Sequence, residues 1–167
     1  MKKIGLMSDT HSYLDPQLYK TFAECDEIWH AGDIGNVEIA QQIAAFKPLR
    51  AVFGNIDDKQ IQSLYPEHLY FEMEGVSVLM IHIAGSLPRY NQKTKQLLAQ
   101  YRPQLLICGH SHILKVQFDE LNNCLYINPG ACGVEGWHKM KTVLRFELAG
   151  AKLDKLELVE LGARAKI

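Results

Sequence analysis

The sequence predicts an α/β sandwich, two sheets packed face to face with helices outside, and three observations predict it. Strand-like apolar runs alternate with helical stretches through the first third of the chain, which implies parallel strands joined by crossover helices. Later strands follow one another as hairpins, with Asn122-Asn123 and Ala149-Gly150-Ala151 as turns, so a second sheet is needed. Finally, nearly every buried run stops at a side chain able to bind metal, along one sheet edge, where open α/β folds place their sites.

Residues 3–8 read as a buried strand, and Pro16 opens a helical stretch in which Leu18, Phe22 and Cys25 share a face. Residues 27–31 form a second strand ending at Gly32-Asp33. Ile39, Ile43 and Phe46 line one side of the next helix, which Pro48 stops, and residues 49–53 form a third strand ending at Gly54-Asn55. Residues 69–72 and 76–82 flank Met73-Glu74-Gly75 as a hairpin. A loop at 85–89 leads to a helix over 90–101, with Pro103 marking its end. Residues 105–108 are a buried strand before Gly109-His110-Ser111-His112, and the segments 115–120, 124–127, 142–148 and 152–161 complete the strands. The end from Arg164 onward is expected to fray. With no repeat, low-complexity tract or linker, residues 1–167 read as one domain able to bury one core.

A formal net charge of −1 argues against a broad nucleic-acid or membrane surface. No apolar stretch is long enough to span a bilayer, and Met1-Lys2-Lys3-Ile4 runs directly into the first strand, so no removable leader fits. Cys25, Cys108, Cys124 and Cys132 are scattered without a C-x-x-C pair. They read as reduced thiols of a cytoplasmic protein, with a Cys124–Cys132 bridge as the alternative.

Asp9 and His11 alternate along what reads as an extended segment, so they point to one side and can chelate one ion; His110 and His112 read the same way. Glycine before Asp33, Asn55 and His110 allows a sharp exit from a strand and close approach to a neighbour. Taken singly, D-x-H and Gly-Asn are turn signals and His82 is a core histidine. In this order, each at a strand end, they point to a hydrolase with two metals. Oxygen and nitrogen donors without thiolate suit Mn, Fe, Zn, Co or Ni.

The order Asp9-x-His11, Gly32-Asp33, Gly54-Asn55-x-Asp57, His82, Gly109-His110-x-His112 resembles the calcineurin-like metallophosphoesterase superfamily over nearly the whole chain. Chain length and Asn128-Pro129-Gly130 resemble its small bacterial and archaeal phosphodiesterases, the subgroup related to the eukaryotic retromer subunit. The resemblance implies a four-layer α-β-β-α sandwich with two central mixed sheets and a dinuclear metal site at strand ends. It implies that Asp9, His11 and His112 bind one divalent ion, Mn foremost, that Asn55, His82 and His110 bind a second, and that Asp33 bridges them. A bridging hydroxide would attack a small phosphate ester, most directly a phosphodiester; the alternative is a scaffold that keeps the fold with catalysis weakened. Whether the chain forms an oligomer is left open.

Two positions depart from the family pattern. Ile56 stands where a histidine often protonates the leaving group, and Ala84 replaces the second imidazole of His-Gly-His, which predicts a loosened first ion. His138 is the best replacement acid, and Trp137 can stack on a ring. Asp57 is expected to orient a ligand or turn beside the catalytic Asp33, Asn55 and His82. Arg89 can clamp a phosphate or be a solvated loop residue, and His30 can orient a ligand or simply be buried.

Overall fold

The computed structural model describes residues 1–164. The first sheet contains parallel β1 (Lys2–Met7), β2 (Glu27–His30) and β3 (Leu49–Ala51), extended by antiparallel β11 (Met140–Ala149) and β12 (Lys152–Ala163), in the order β12-β11-β1-β2-β3. The second sheet contains β4 (His68–Met73), β5 (Val76–Ile81), β8 (Leu105–Ile107), β9 (Lys115–Asp119) and β10 (Cys124–Asn128), in the order β4-β5-β8-β10-β9. Here β5, β8 and β10 are parallel and the two edge strands antiparallel, so both sheets are mixed.

Three apolar layers separate the elements. Ile4, Leu6, Trp29, Val78, Met80, Ile107 and Phe146 meet between the sheets. Helices α1 (Gln17–Thr21), α2 (Val37–Phe46) and α3 (Lys59–Leu64) accompany the first sheet, where Phe22, Ile28, Ile43 and Ile61 pack together. Helix α4 (Gln92–Tyr101) covers the second through Leu97 and Leu98 on Leu79 and Leu106. Each such fully buried side chain contributes roughly 1.5–3 kcal/mol by leaving water. The result is the expected α-β-β-α stacking.

Several elements differ in detail from the sequence reading. The first helix spans only Gln17–Thr21, and helix α3 was not foreseen: Asp58 caps it through the N–H groups of Gln60 and Ile61, but only Ile61 is buried, too little apolar periodicity to read. The 85–89 loop and the residue after it form a small hairpin, β6 (Gly85–Ser86) and β7 (Arg89–Tyr90). All four cysteines are buried and free, which removes the Cys124–Cys132 bridge. Arg164 is held by the carbonyls of His138 and Val134, so fraying does not begin there; residues 165–167 lie outside the described residues. Among the described residues no helix is long and apolar enough to cross a membrane.

Candidate metal centre

The ligand residues follow the C-terminal ends of the parallel strands of both sheets. Asp9 and His11 follow β1, Asp33 follows β2, Asn55 follows β3, His82 follows β5, and His110 and His112 follow β8. Backbone hydrogen bonds join these loops beyond the strands: Asp9 N–H donates to Gly32 O at 3.0 Å, His11 N–H to Asp33 O at 3.0 Å, and Gly109 N–H to His82 O at 3.0 Å.

The loops are not extended. Asp9, His11, Asp33, His110 and His112 all have positive φ, between 45° and 70°. Left-handed backbone at a residue other than glycine costs on the order of 1–3 kcal/mol, and its concentration on these five side chains marks a site where geometry is placed above local stability. The alternation reading of Asp9-x-His11 is therefore corrected: the pair converges through a turn, not through strand periodicity. His110 and His112 do not share an ion position either. Two glycines let the loops interlock. A Cβ on Gly54 would lie 2.0 Å from Asp33 Oδ1, and one on Gly109 would lie 2.1 Å from Ser8 Oγ.

Two groups of potential ligand atoms result, Asp9 with His11 and His112, and Asp33 with His82 and His110. Asn55 Oδ1 joins the second, 3.1 Å from His82 Nε2 and 3.0 Å from His110 Nδ1. Asp33 also reaches the first: its Oδ1 lies 3.2 Å from His82 Nε2 and its Oδ2 3.3 Å from His11 Nε2. One carboxylate thus presents an oxygen to each group.

The donor set fits a pair of cations. Asp9 Oδ1 and His11 Nε2 are buried without a hydrogen-bond partner, a cost of about 1–3 kcal/mol each if nothing else binds them. The opposite oxygen of Asp9 is saturated by Ser8 Oγ at 2.6 Å and His110 N–H at 3.1 Å, so only Oδ1 is left facing His112 Nε2 at 3.2 Å. Ring tautomers agree. Ala31 O, 2.8 Å from His82 Nδ1, requires a proton there and turns the Nε2 lone pair toward Asp33 and Asn55. Gly133 O, 2.9 Å from His138 Nε2, does the same for His138, whose bare Nδ1 then accepts from His112 Nδ1 at 3.3 Å. His112 Nε2 is thereby left bare beside Asp9 Oδ1. Lone pairs opposed to carboxylate oxygens repel unless a cation lies between them.

Without a cation, protons take part of that role. The carboxylates of Asp33 and Asp9 push His11 up to about 9 against the effect of burial. Burial opposes charge on Asp9 and Asp33, yet neighbouring imidazoles outweigh it and hold both carboxyls below the usual range, His11 and His112 for Asp9, His11 and His82 for Asp33. Burial likewise opposes charge on His82, but Asp33 and Asp9 raise its pKa. His30 differs: burial lowers it to about 4, and it is neutral. It accepts from Gly32 N–H at Nδ1 and contacts Thr10 Oγ1 at 3.0 Å, tying the Asp33 loop to the Asp9 loop.

The remaining predicted residues lie outside the two ligand groups. Asp57 is buried, and its oxygens accept from the N–H groups of Ile34, Gly35 and Gly54 at 3.1, 2.8 and 2.7 Å. It clamps the loop carrying Asp33 to the loop carrying Asn55, which is a positioning role. Both nitrogens of His138 are engaged, so it is not poised to protonate a leaving group. Arg89 is exposed on β7 and lines neither groove beside the ligands. Ile56 is 45% exposed, and its N–H donates to Asp33 Oδ1 at 3.1 Å. Asn128 is no ligand: it is buried and donates to Gly109 O and Ser111 Oγ, holding the loop of His110 and His112. Sequence reasoning passed over Ser8 and Thr10, since a hydroxyl beside a D-x-H carries no signal of its own.

Two mixed sheets with paired histidine and carboxylate groups at the ends of their parallel strands define a class, and the chain belongs to it: it is a member of the calcineurin-like phosphoesterase superfamily, whose domain matches residues 1–151. A probable metallophosphoesterase from Methanothermobacter thermautotrophicus is 30% identical over 166 residues, 96% of this chain and 93% of that one. A phosphodiesterase from Methanocaldococcus jannaschii is 22% identical over 142 residues, 78% and 84% of the two chains. Among solved structures, a single mutant of Vps29 from Entamoeba histolytica shares the fold with a TM-score of 0.72 at 15% identity, covering 95% of this chain and 98% of that one.

Proposed function

We propose that this protein is a metal-dependent phosphodiesterase, the whole chain acting as one cytoplasmic domain with two divalent ions, manganese foremost. The observation that carries the reading is the Asp33 carboxylate, with one oxygen toward His82 and the other toward His11, beside an Asp9 oxygen that has no hydrogen-bond partner. Asp9, His11 and His112 would hold one ion, Asn55, His82 and His110 the other, and Asp33 both. Bound there, the ions would supply an activated water and positive charge facing the phosphoryl oxygens. Ala31 O keeps the proton of His82 on Nδ1, and His138 keeps that of His112 on Nδ1, so both rings offer Nε2. No imidazole stands at residue 56, so the leaving oxygen departs as an anion, which favours aryl esters. The similarity to a protein named as a phosphodiesterase supports the substrate class.

A second reading has one observation in its favour. Ile56, Ile113 and Trp137 are 45%, 66% and 98% exposed, an apolar surround suited to a binding scaffold. Five strained ligands have no use in a scaffold, which favours the enzyme. Elemental analysis of untagged protein with turnover of bis(p-nitrophenyl) phosphate tests the choice. We expect up to two ions per chain, loss of activity on chelation and its return with Mn; metal-loaded protein without turnover would overturn the enzymatic reading.

A further inference from the structure

Two grooves flank the exposed ligands and share Ile83 as a wall. One, of about 360 Å³, is lined by Asn55, His82 and Lys93; the other, of about 350 Å³, by His110, Ile83, Ala84, Ile113, Lys115 and Tyr126. Both are large enough for a small ring. Their charges differ. Lys93 is paired with Glu67, so its cation is neutralised. Lys115 has no carboxylate partner among the described residues, and its ammonium stands 5.9 Å from the Tyr126 ring centre.

The second groove is mostly apolar, with Ser86, Ser111 and Lys115 as its polar lining and the ligand His110 at one end. Ala84 and Tyr126, 1% and 4% exposed, form its floor, and Ile83 and Ile113, 38% and 66% exposed, form its rim. The small side chain at 84 matters, since any longer one on this buried floor would take volume from the groove. A phosphorus bound beside His110 would place one ester substituent in this space. A methyl group would leave most of it to water, whereas a flat ring above Ala84 and Tyr126 would cover the exposed faces of Ile83 and Ile113 and bring a charge on its far edge toward Lys115.

We propose that the groove between Ile83 and Ile113 selects phosphodiesters whose retained ester group is a flat ring bearing an anionic substituent, the ring lying on Ala84 and Tyr126 and the anion pairing with Lys115. The proposal rests on the phosphodiesterase reading above.

The test uses the full, Mn-loaded chain and three p-nitrophenyl phosphodiesters whose other ester is methyl, phenyl or 4-carboxyphenyl. In each, the oxygen of water bonds to phosphorus, the bond to p-nitrophenolate breaks with its electron pair, water's protons pass to solvent, and the other ester stays. Dividing kcat/KM by each ester's own hydroxide hydrolysis rate removes intrinsic reactivity. We expect the phenyl ester to exceed the methyl by about tenfold, and the carboxyphenyl to exceed the phenyl by about two- to fivefold, mainly through KM. Lys115→Gln should bring the carboxyphenyl-to-phenyl ratio to about one. Ala84→Leu should collapse the phenyl-to-methyl ratio, and Ile113→Ala, at an exposed position with little bearing on folding, should lower it. Equal corrected values for the three esters, or a carboxyphenyl preference that survives Lys115→Gln, would overturn the groove assignment alone. Turnover of none of them would overturn the phosphodiesterase reading and this inference with it.

Discussion

Asp9, His11 and His112 lie under the 133–138 loop, where the Cβ of any residue replacing Gly136 would meet the His112 ring, whereas Asn55 and His110 stand exposed between two grooves. The first group is braced from behind: His138 fixes the tautomer of His112, and Ser8 and His110 N–H occupy the spare oxygen of Asp9. In the second, His82 is braced by Ala31 O, but Asn55 and His110 face solvent. From this difference we propose that one group mainly holds its ion and the other meets substrate. Against the expectation of a loosened first ion we propose the opposite order of affinity, since Ala84 lines the groove beside His110 and the first group is the more enclosed.

Asp33 belongs to both groups, so its loss should erase the contrast. Asp33→Ala is expected to abolish binding of both ions and to lower kcat/KM by at least about 10³-fold, beyond the 10–100-fold usual for residues that only orient a ligand. Calorimetry showing two ions loaded normally would break the bridging assignment.

His138→Ala probes the first group alone. It should weaken one of two ions by about 10–100-fold and leave the other step of a metal titration in place, while His138→Gln, whose amide oxygen can accept from His112 Nδ1, should recover part of the loss. Equal weakening of both steps would mean that the loop braces the whole site. In the unmodified protein, chelator should strip the ion at the exposed second group first.

Ile56→His tests the open side. Rates in the unmodified protein should fall steeply as leaving-group pKa rises, and the added imidazole should raise alkyl-ester turnover by about ten- to a hundredfold with little change for aryl esters. A shallow dependence before substitution would show that another donor serves the leaving oxygen.

The smallest effect is on metal-free stability. His11, at about 9 when folded against about 6.5 unfolded, contributes stabilisation that is fully present below 6.5 and lost as pH rises through 9. His11 is partly solvated, so on the order of 1 kcal/mol remains after screening, roughly 2–4 °C in Tm. Asp9 and Asp33 act oppositely, stabilising above the unfolded carboxyl range and losing that as pH falls. Thermal melts of chelated protein should therefore decline from pH 6.5 to 9. Metal affinity should rise over the same interval, because His11 must shed its proton to bind.

The buried strands β1, β2, β8 and β10 were legible because apolar runs bounded by glycine or turn residues have few other uses in a chain this short. Helix α3 and the 85–90 hairpin were not, since one buried isoleucine or a two-residue pairing leaves no periodicity. Among site residues, metal-binding side chain types at strand ends could be read directly. Asp57 could be read only as orienting a ligand or turn; its partners could not, because they are three backbone N–H groups on two loops, and backbone carries no sequence signature. His138 was singled out for a role its hydrogen bonds do not leave open.

By itself, the sequence determined which side chains of metal-binding type stand at strand ends, the order of strands that deliver them, and the glycines at Gly54 and Gly109 that let the delivering loops touch. Only the tertiary structure decided how those side chains divide: His110 and His112, two residues apart, go to different groups, and one carboxylate spans both. The physical reason is the left-handed backbone at five ligands. Local sequence preference disfavours that conformation at every one of them, so it is imposed by hydrogen bonds and packing between loops from two different sheets, which no stretch of the chain contains.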